Sequence, residues 1–148
     1  MPKSNADPES ARAIHVWLIL WKAAKAMEQT ALRSISRLGL GLSDFAILEL
    51  LLHKGSQPVN VIGKKVLLTS GSITSAVDRL EAKKLVHREH AAGDKRSRIV
   101  ALTPAGRRVI MKAFRRHALD MEQALERLPP RDRSNLVRLL KKAAIGLP

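Results

Sequence analysis

Cysteine is absent from the 148 residues. That excludes disulfides, thiolate zinc sites, a catalytic cysteine and thiol redox sensing together. Tyrosine is absent too, and the aromatics come to two Trp and two Phe. Stacking platforms of the kind single-strand-binding folds use need more. Acidic residues are scarce: 13 Asp and Glu face 27 Lys and Arg, a formal charge of +14. Such an excess selects nucleic acid or an anionic membrane surface as partner. The longest apolar run, Val16 to Trp21, is far too short to span a bilayer. Met1 to Ala11 is polar and lacks the apolar core of a signal peptide. The expectation is a cytoplasmic chain with no membrane partner.

What is present is enough apolar content, 45%, for one packed domain. After a polar tail, a helix is predicted from about Ala11 to Leu38, ending at Gly39-Leu40-Gly41. Its first half, Ile14 to Trp21, is apolar almost all round. A chain this small cannot cover such a segment alone, so a second subunit is expected to share it. Ser43 is the expected N-cap of a helix from Asp44 to about His53. A short helix over Val59 to Leu67 follows, then one capped by Thr69 or Ser70 that reaches about Lys83. Val86–His90 and Arg98–Leu102 read as two strands around a polar tip, Ala91 to Ser97. Thr103-Pro104 opens a long helix to about Leu128. Pro129-Pro130 breaks it, and a last helix covers about Arg131 to Ile145. The fold class is mainly α with a small β-hairpin wing. It is a winged helix-turn-helix lobe over 43–103, with dimerisation helices over 12–38 and 104–146.

Two segments carry the functional signal. From Thr69 to Leu80, Ile73, Val77 and Leu80 share a buried face, while Ser70, Ser72, Thr74, Ser75 and Arg79 share the other. Short hydroxyl side chains let a helix lie close to a groove and bond phosphates or base edges. Gly63, lacking a side chain, suits close approach of the preceding helix. The hairpin tip carries Lys95, Arg96 and Arg98. An arginine there suits a minor groove, where negative potential is focused. Residues 54–116 hold fifteen Lys and Arg against four acids, so most of the excess charge is centred on this lobe.

Leu67 to Glu81, Leu85-Val86-x-Arg88, Asp94-Lys95-Arg96 and Leu102-Thr103-Pro104-Ala105-Gly106 together resemble the MarR family of transcription regulators. The resemblance covers about residues 12–145. It implies a homodimer, a recognition helix from Ser70 in the major groove, and Arg96 in the minor groove of a pseudo-palindromic double-stranded DNA operator. It also implies control by a small phenolic or aromatic-acid effector, with Trp17, Trp21, His53 and Phe114 as candidate pocket residues. The family often has Gly where Lys84 stands, so either Lys84 takes a left-handed conformation or the helix ends differently from the family's.

The expected function is a ligand-responsive repressor that binds DNA by sequence. Two other readings remain open at this point, a non-specific architectural DNA binder and an interaction module without DNA function. The five His (15, 53, 87, 90, 117) show no metal-ligand spacing, and no cofactor is expected. No Ser-His-Asp set or Gly-rich phosphate loop stands out, so catalysis is not expected.

Overall fold

The computed structural model describes residues 7–66 and 68–145; the side chains of Ser70, Lys95, Arg96 and Ser97 lie outside the description. Among the described residues, six helices and three strands run in the order α1 (Pro8–Ser36), α2 (Leu42–Lys54), β1 (Gln57–Pro58), α3 (Val59–Lys65), α4 (Ser70–Ala82), β2 (Val86–Ala91), β3 (Asp94–Leu102), α5 (Pro104–Ala124) and α6 (Pro130–Ala144). The strands form one antiparallel sheet in the order β1-β3-β2.

Local chemistry sets most boundaries. Thr69 caps α4 by accepting the Ser72 N–H, and Thr103 caps α5 by accepting the Gly106 N–H. Pro104 fills the first turn of α5. Gly55 ends α2 with φ +75°. Of the two outcomes open at Lys84, the structure has the left-handed one, φ 58°. Lys84 stays there because Thr103 Oγ1 donates to the Lys84 carbonyl at 2.7 Å and the Thr103 N–H donates to Leu85 O at 3.1 Å.

Three boundaries and one strand differ from expectation. Ser43 does not cap α2: the helix starts at Leu42, and the Phe45 N–H already closes on Gly41 O. The hairpin tip is shorter than the polar run suggested. A register shift at His90/Ala91 lets the ladder continue to Ala91↔Asp94, so only Ala92 and Gly93 turn. β1 is an additional strand, pairing Gln57 with Val100 and Pro58 with Ile99. Finally, α5 ends at Ala124 rather than Leu128. The Arg133 guanidinium takes the freed carbonyls of Leu125 (2.9 Å) and Leu128 (2.7 Å), which lets the chain leave the helix early.

The core joins α2, α3, α4, the sheet and α5. Ile47, Leu48, Ile62, Val77, Leu80, Val100 and Ile110 are fully enclosed in it. Only the C-terminal end of α1 joins this core, through Ile35. The N-terminal half of α1 stands clear of it, with Trp17 and Trp21 at 60% and 55% exposure. α6 has no buried residue at all. No helix is long and apolar enough to cross a membrane among the described residues.

Candidate nucleic-acid interface

α3 and α4 pack at a right-sized gap: a Cβ built on buried Gly63 would meet Ile73 Cγ2 at 3.3 Å. That packing buries Ile73, Ala76, Val77 and Leu80 and turns the rest of α4 outward. Ser72, Thr74 and Ser75 are exposed on this outer face. The Ser72 hydroxyl accepts from Thr69 Oγ1 at 2.9 Å, so it keeps its own proton to donate outward. Ser70 opens the helix, but its side chain is outside the description.

Arg79 faces outward but is not idle. Its Nη2 donates to Asp44 Oδ1 at 2.8 Å, and Lys83 Nζ lies 3.5 Å from Asp44 Oδ2. Asp44 is buried at the start of α2, only 5% exposed. A buried carboxylate on α2 thus anchors Arg79 of α4 and Lys83 at its C-cap. Among described partners, Arg79 is committed to holding the helix.

A second anchor comes from the wing. Arg88 on β2 donates to Asp78 Oδ1 at 2.5 Å and to Glu81 Oε2, and its N–H donates to Glu81 Oε1 at 3.2 Å. Against the effect of burial, these two acids raise the Arg88 pKa above its ordinary value. The bonds fasten β2 to the C-terminal half of α4. Neither Arg88, which the sequence shows within the Leu85-Val86-x-Arg88 motif, nor Asp44 was expected to anchor α4. Arg88 had a signal: it shares a strand face with buried Val86, and a cation facing a core demands partners. Asp44 had none, because its partners lie 35 and more residues away.

Arg98 is exposed on β3 opposite His90. Lys95 and Arg96 lie on β3 near the turn, with side chains outside the description. Of the four candidate pocket residues, the structure brings together two pairs. Trp17 and Trp21 stack at 6.1 Å, and His53 meets Phe114 edge-on at 4.9 Å. No ring contact among the described residues joins one pair to the other within a single chain.

One grouping was not foreseen. Ser34, His117 and Asp120 meet where α1 crosses α5. Ser34 Oγ donates to Asp120 Oδ2 at 2.6 Å. With its one proton given away, it accepts from His117 Nδ1–H at 2.9 Å. A nucleophilic serine hands its proton to the imidazole instead, so this wiring does not activate Ser34. Among the described residues, no group of three or more His, Asp and Glu is arranged to hold a metal ion.

A short-hydroxyl helix face, clamped on both flanks beside a basic β-hairpin, defines a winged helix-turn-helix DNA-binding protein. The comparisons agree with that class. A model of the MarR family matches residues 38–97. YkoM, an uncharacterised helix-turn-helix-type transcriptional regulator of Bacillus subtilis (strain 168), is 34% identical over 145 residues, spanning 98% of this chain and 94% of its own. The transcriptional regulator MhqR of the same organism is 32% identical, spanning 91% and 93%. The solved structure of BpsR from Bordetella bronchiseptica, described with the regulation of its DNA binding by 6-hydroxynicotinic acid, shares the fold. Its TM-score is 0.79 at 23% identity, covering 89% of this chain and 94% of that one. The chain belongs to the MarR family and is a DNA-binding transcriptional regulator.

Proposed function

We propose that the chain acts as a homodimeric, sequence-specific repressor whose grip on a pseudo-palindromic operator is relaxed by a small effector. The observation that carries this reading is the outer face of α4, where Ser72, Thr74 and Ser75 stand exposed on a helix held rigid by Asp44 and Arg88. Residues 43–103 are the reading lobe, and 12–38 with 104–146 assemble the dimer. The exposed apolar side chains Trp17, Ile19, Val137 and Leu139 support that assembly, since a surface this apolar calls for a partner. Effector control is supported by BpsR, whose DNA binding is regulated by 6-hydroxynicotinic acid.

Ser70, Ser72, Thr74 and Ser75 read bases or phosphates in the major groove, while Lys95, Arg96 and Arg98 carry the wing into the minor groove. Arg79 contributes charge from its anchored position. The test is operator affinity against salt, on a selected site and on scrambled DNA. Wild type prefers the selected site by about 10³-fold or more. Ser75→Ala shifts base preference at a cost of about 1 kcal/mol. Arg96→Ala weakens binding to most sequences and lowers the salt slope by roughly one charge per subunit. Equal binding to both DNAs would replace this reading with an architectural role.

A further inference from the structure

α4, the helix proposed to meet DNA, carries two acids, Asp78 and Glu81. A carboxylate beside phosphates repels them, so each needs a reason to be there. Glu81 has one. Both of its oxygens are taken by Arg88, Oε1 by the backbone N–H at 3.2 Å and Oε2 by the guanidinium. Asp78 is only half used. Arg88 Nη2 donates to its Oδ1 at 2.5 Å, and Oδ2 takes no hydrogen bond among the described residues. With that bond in place the Asp78 side chain is still 61% exposed, while Arg88 behind it is 16% exposed. Asp78 stands three residues after Ser75 and four after Thr74, and all three are exposed on the outer face of α4. That face therefore presents short hydroxyls and one clamped carboxylate with a free oxygen.

Hydroxyls discriminate weakly between bases, because Ser and Thr both donate and accept. An ionised carboxylate only accepts, so it calls for a base edge that donates. In the major groove, guanine and thymine present acceptors, and adenine sets its N6 amino group beside the acceptor N7. Cytosine offers its N4 amino group with no acceptor on its own edge. We propose that Asp78 is a base-reading residue that accepts from the N4 amino group of a cytosine, with Arg88 as the positioning residue that holds its carboxylate. The proposal rests on the repressor reading and adds a base identity to it. Asp78 lies about 4.5 Å along the helix axis from Ser75, close to the ~3.4 Å rise of one base pair, so its cytosine adjoins the pair that Ser75 reads. Arg88 supplies the charge that makes a carboxylate tolerable near phosphate. Its planar fork also fixes the side chain before DNA arrives, so less ordering is left to binding.

Selection of bound duplexes from a random pool, followed by affinity measurements on single-base variants, tests this with the full-length protein. Wild type should enrich one such cytosine in each half-site, and replacing it should cost about fivefold or more in affinity. Asp78→Ala should lose that preference alone. Its affinity for scrambled DNA should hold or rise, because a negative charge has left the interface, whereas a variant that failed to fold would lose both. Asp78→Asn should move the enriched base at that position from cytosine to adenine, since an amide pairs with N6 and N7 together. Arg88→Lys keeps the charge but loses the fork, and should weaken the cytosine preference. In the Asp78→Ala background the same change should no longer alter preference at that position. An unchanged profile in Asp78→Ala and Asp78→Asn overturns Asp78 as a reader, and the repressor reading survives if Ser75→Ala still shifts preference at its own position. A full cytosine preference in Arg88→Lys overturns the holding role. A wild type that enriches no sequence overturns both the base reader and the repressor reading.

Discussion

Asp44 shows how much one side chain can organise. It is buried, it belongs to α2, and its partners are Arg79 of α4 and Lys83, the residue just past the end of that helix. Asp44→Ala leaves Arg79 and Lys83 without their counter-charge. Both cations are about half exposed, so water recovers part of the loss. The expected destabilisation is about 1–2 kcal/mol, at the low end for hydrogen bonds to charged groups. Urea denaturation checks it, and an unchanged midpoint would mean that the anchor is idle. Asp120 gives a pH signature. Its pKa lies below the ordinary carboxylate value, chiefly through the Ser34 hydroxyl, against a smaller opposing effect of burial, with Arg116, Arg37 and His117 adding to the lowering. A carboxyl group whose pKa falls on folding stabilises the protein above its unfolded value, about 3.9. That contribution disappears as pH falls through the lower, folded value. Ser34→Ala should therefore be less stable than wild type at neutral pH. The gap should narrow below about pH 4. Thermal unfolding against pH is the measurement, and a gap independent of pH would contradict it.

Among the elements, the start of α5 is the least forgiving. A Cβ on Gly106 would lie 1.9 Å from the backbone carbonyl oxygen of Leu85, and no rotamer relieves a clash with main chain. Gly106→Ala should cost several kcal/mol, on the order of 3 or more, or abolish folding. Circular dichroism with a melting curve reads it, and a near-native melting temperature would show that the junction can open. Helix limits that rest on local chemistry are legible in the sequence: Thr69, Thr103-Pro104 and Gly55 each act on neighbours within a turn. The buried face of α4 is legible for the same reason, since periodicity alone defines it. β1 is not, because a two-residue strand has no period, and its pairing with Val100 depends on topology. The early end of α5 is hidden in Arg133, which serves carbonyls five and eight residues before it. The candidate interface divides in the same way. Its outward hydroxyls show in the pattern, while the anchors Asp44 and Arg88 appear only once α2, α4 and β2 are set side by side.

At the scale of the molecule, the core closes over α2, α3, α4, the sheet and one face of α5, while the N-terminal half of α1 and all of α6 stay outside it. Leu136, Val137, Leu139 and Leu140 all lie exposed on α6, as do Val16, Trp17, Ile19 and Trp21 on α1. A charge placed there, as in Val137→Glu, should split the assembly and lower apparent stability in a concentration-dependent way. Sedimentation of wild type at low micromolar concentration should show no folded species of single-chain mass. A folded, helical monomer would remove the dimer from the proposal. The small strand β1 has a consequence in time rather than space. It opens the helix-turn-helix, yet its only ladder partner is β3, some forty residues later. During synthesis, α2, α3 and α4 emerge from the ribosome before the strand that closes their sheet exists. Closing that loop is a non-local step whose entropy must be met before the sheet rewards it. α4 therefore reaches its final setting only after the hairpin has been made, and a nascent chain cut short before residue 100 should lack the finished surface proposed to read DNA.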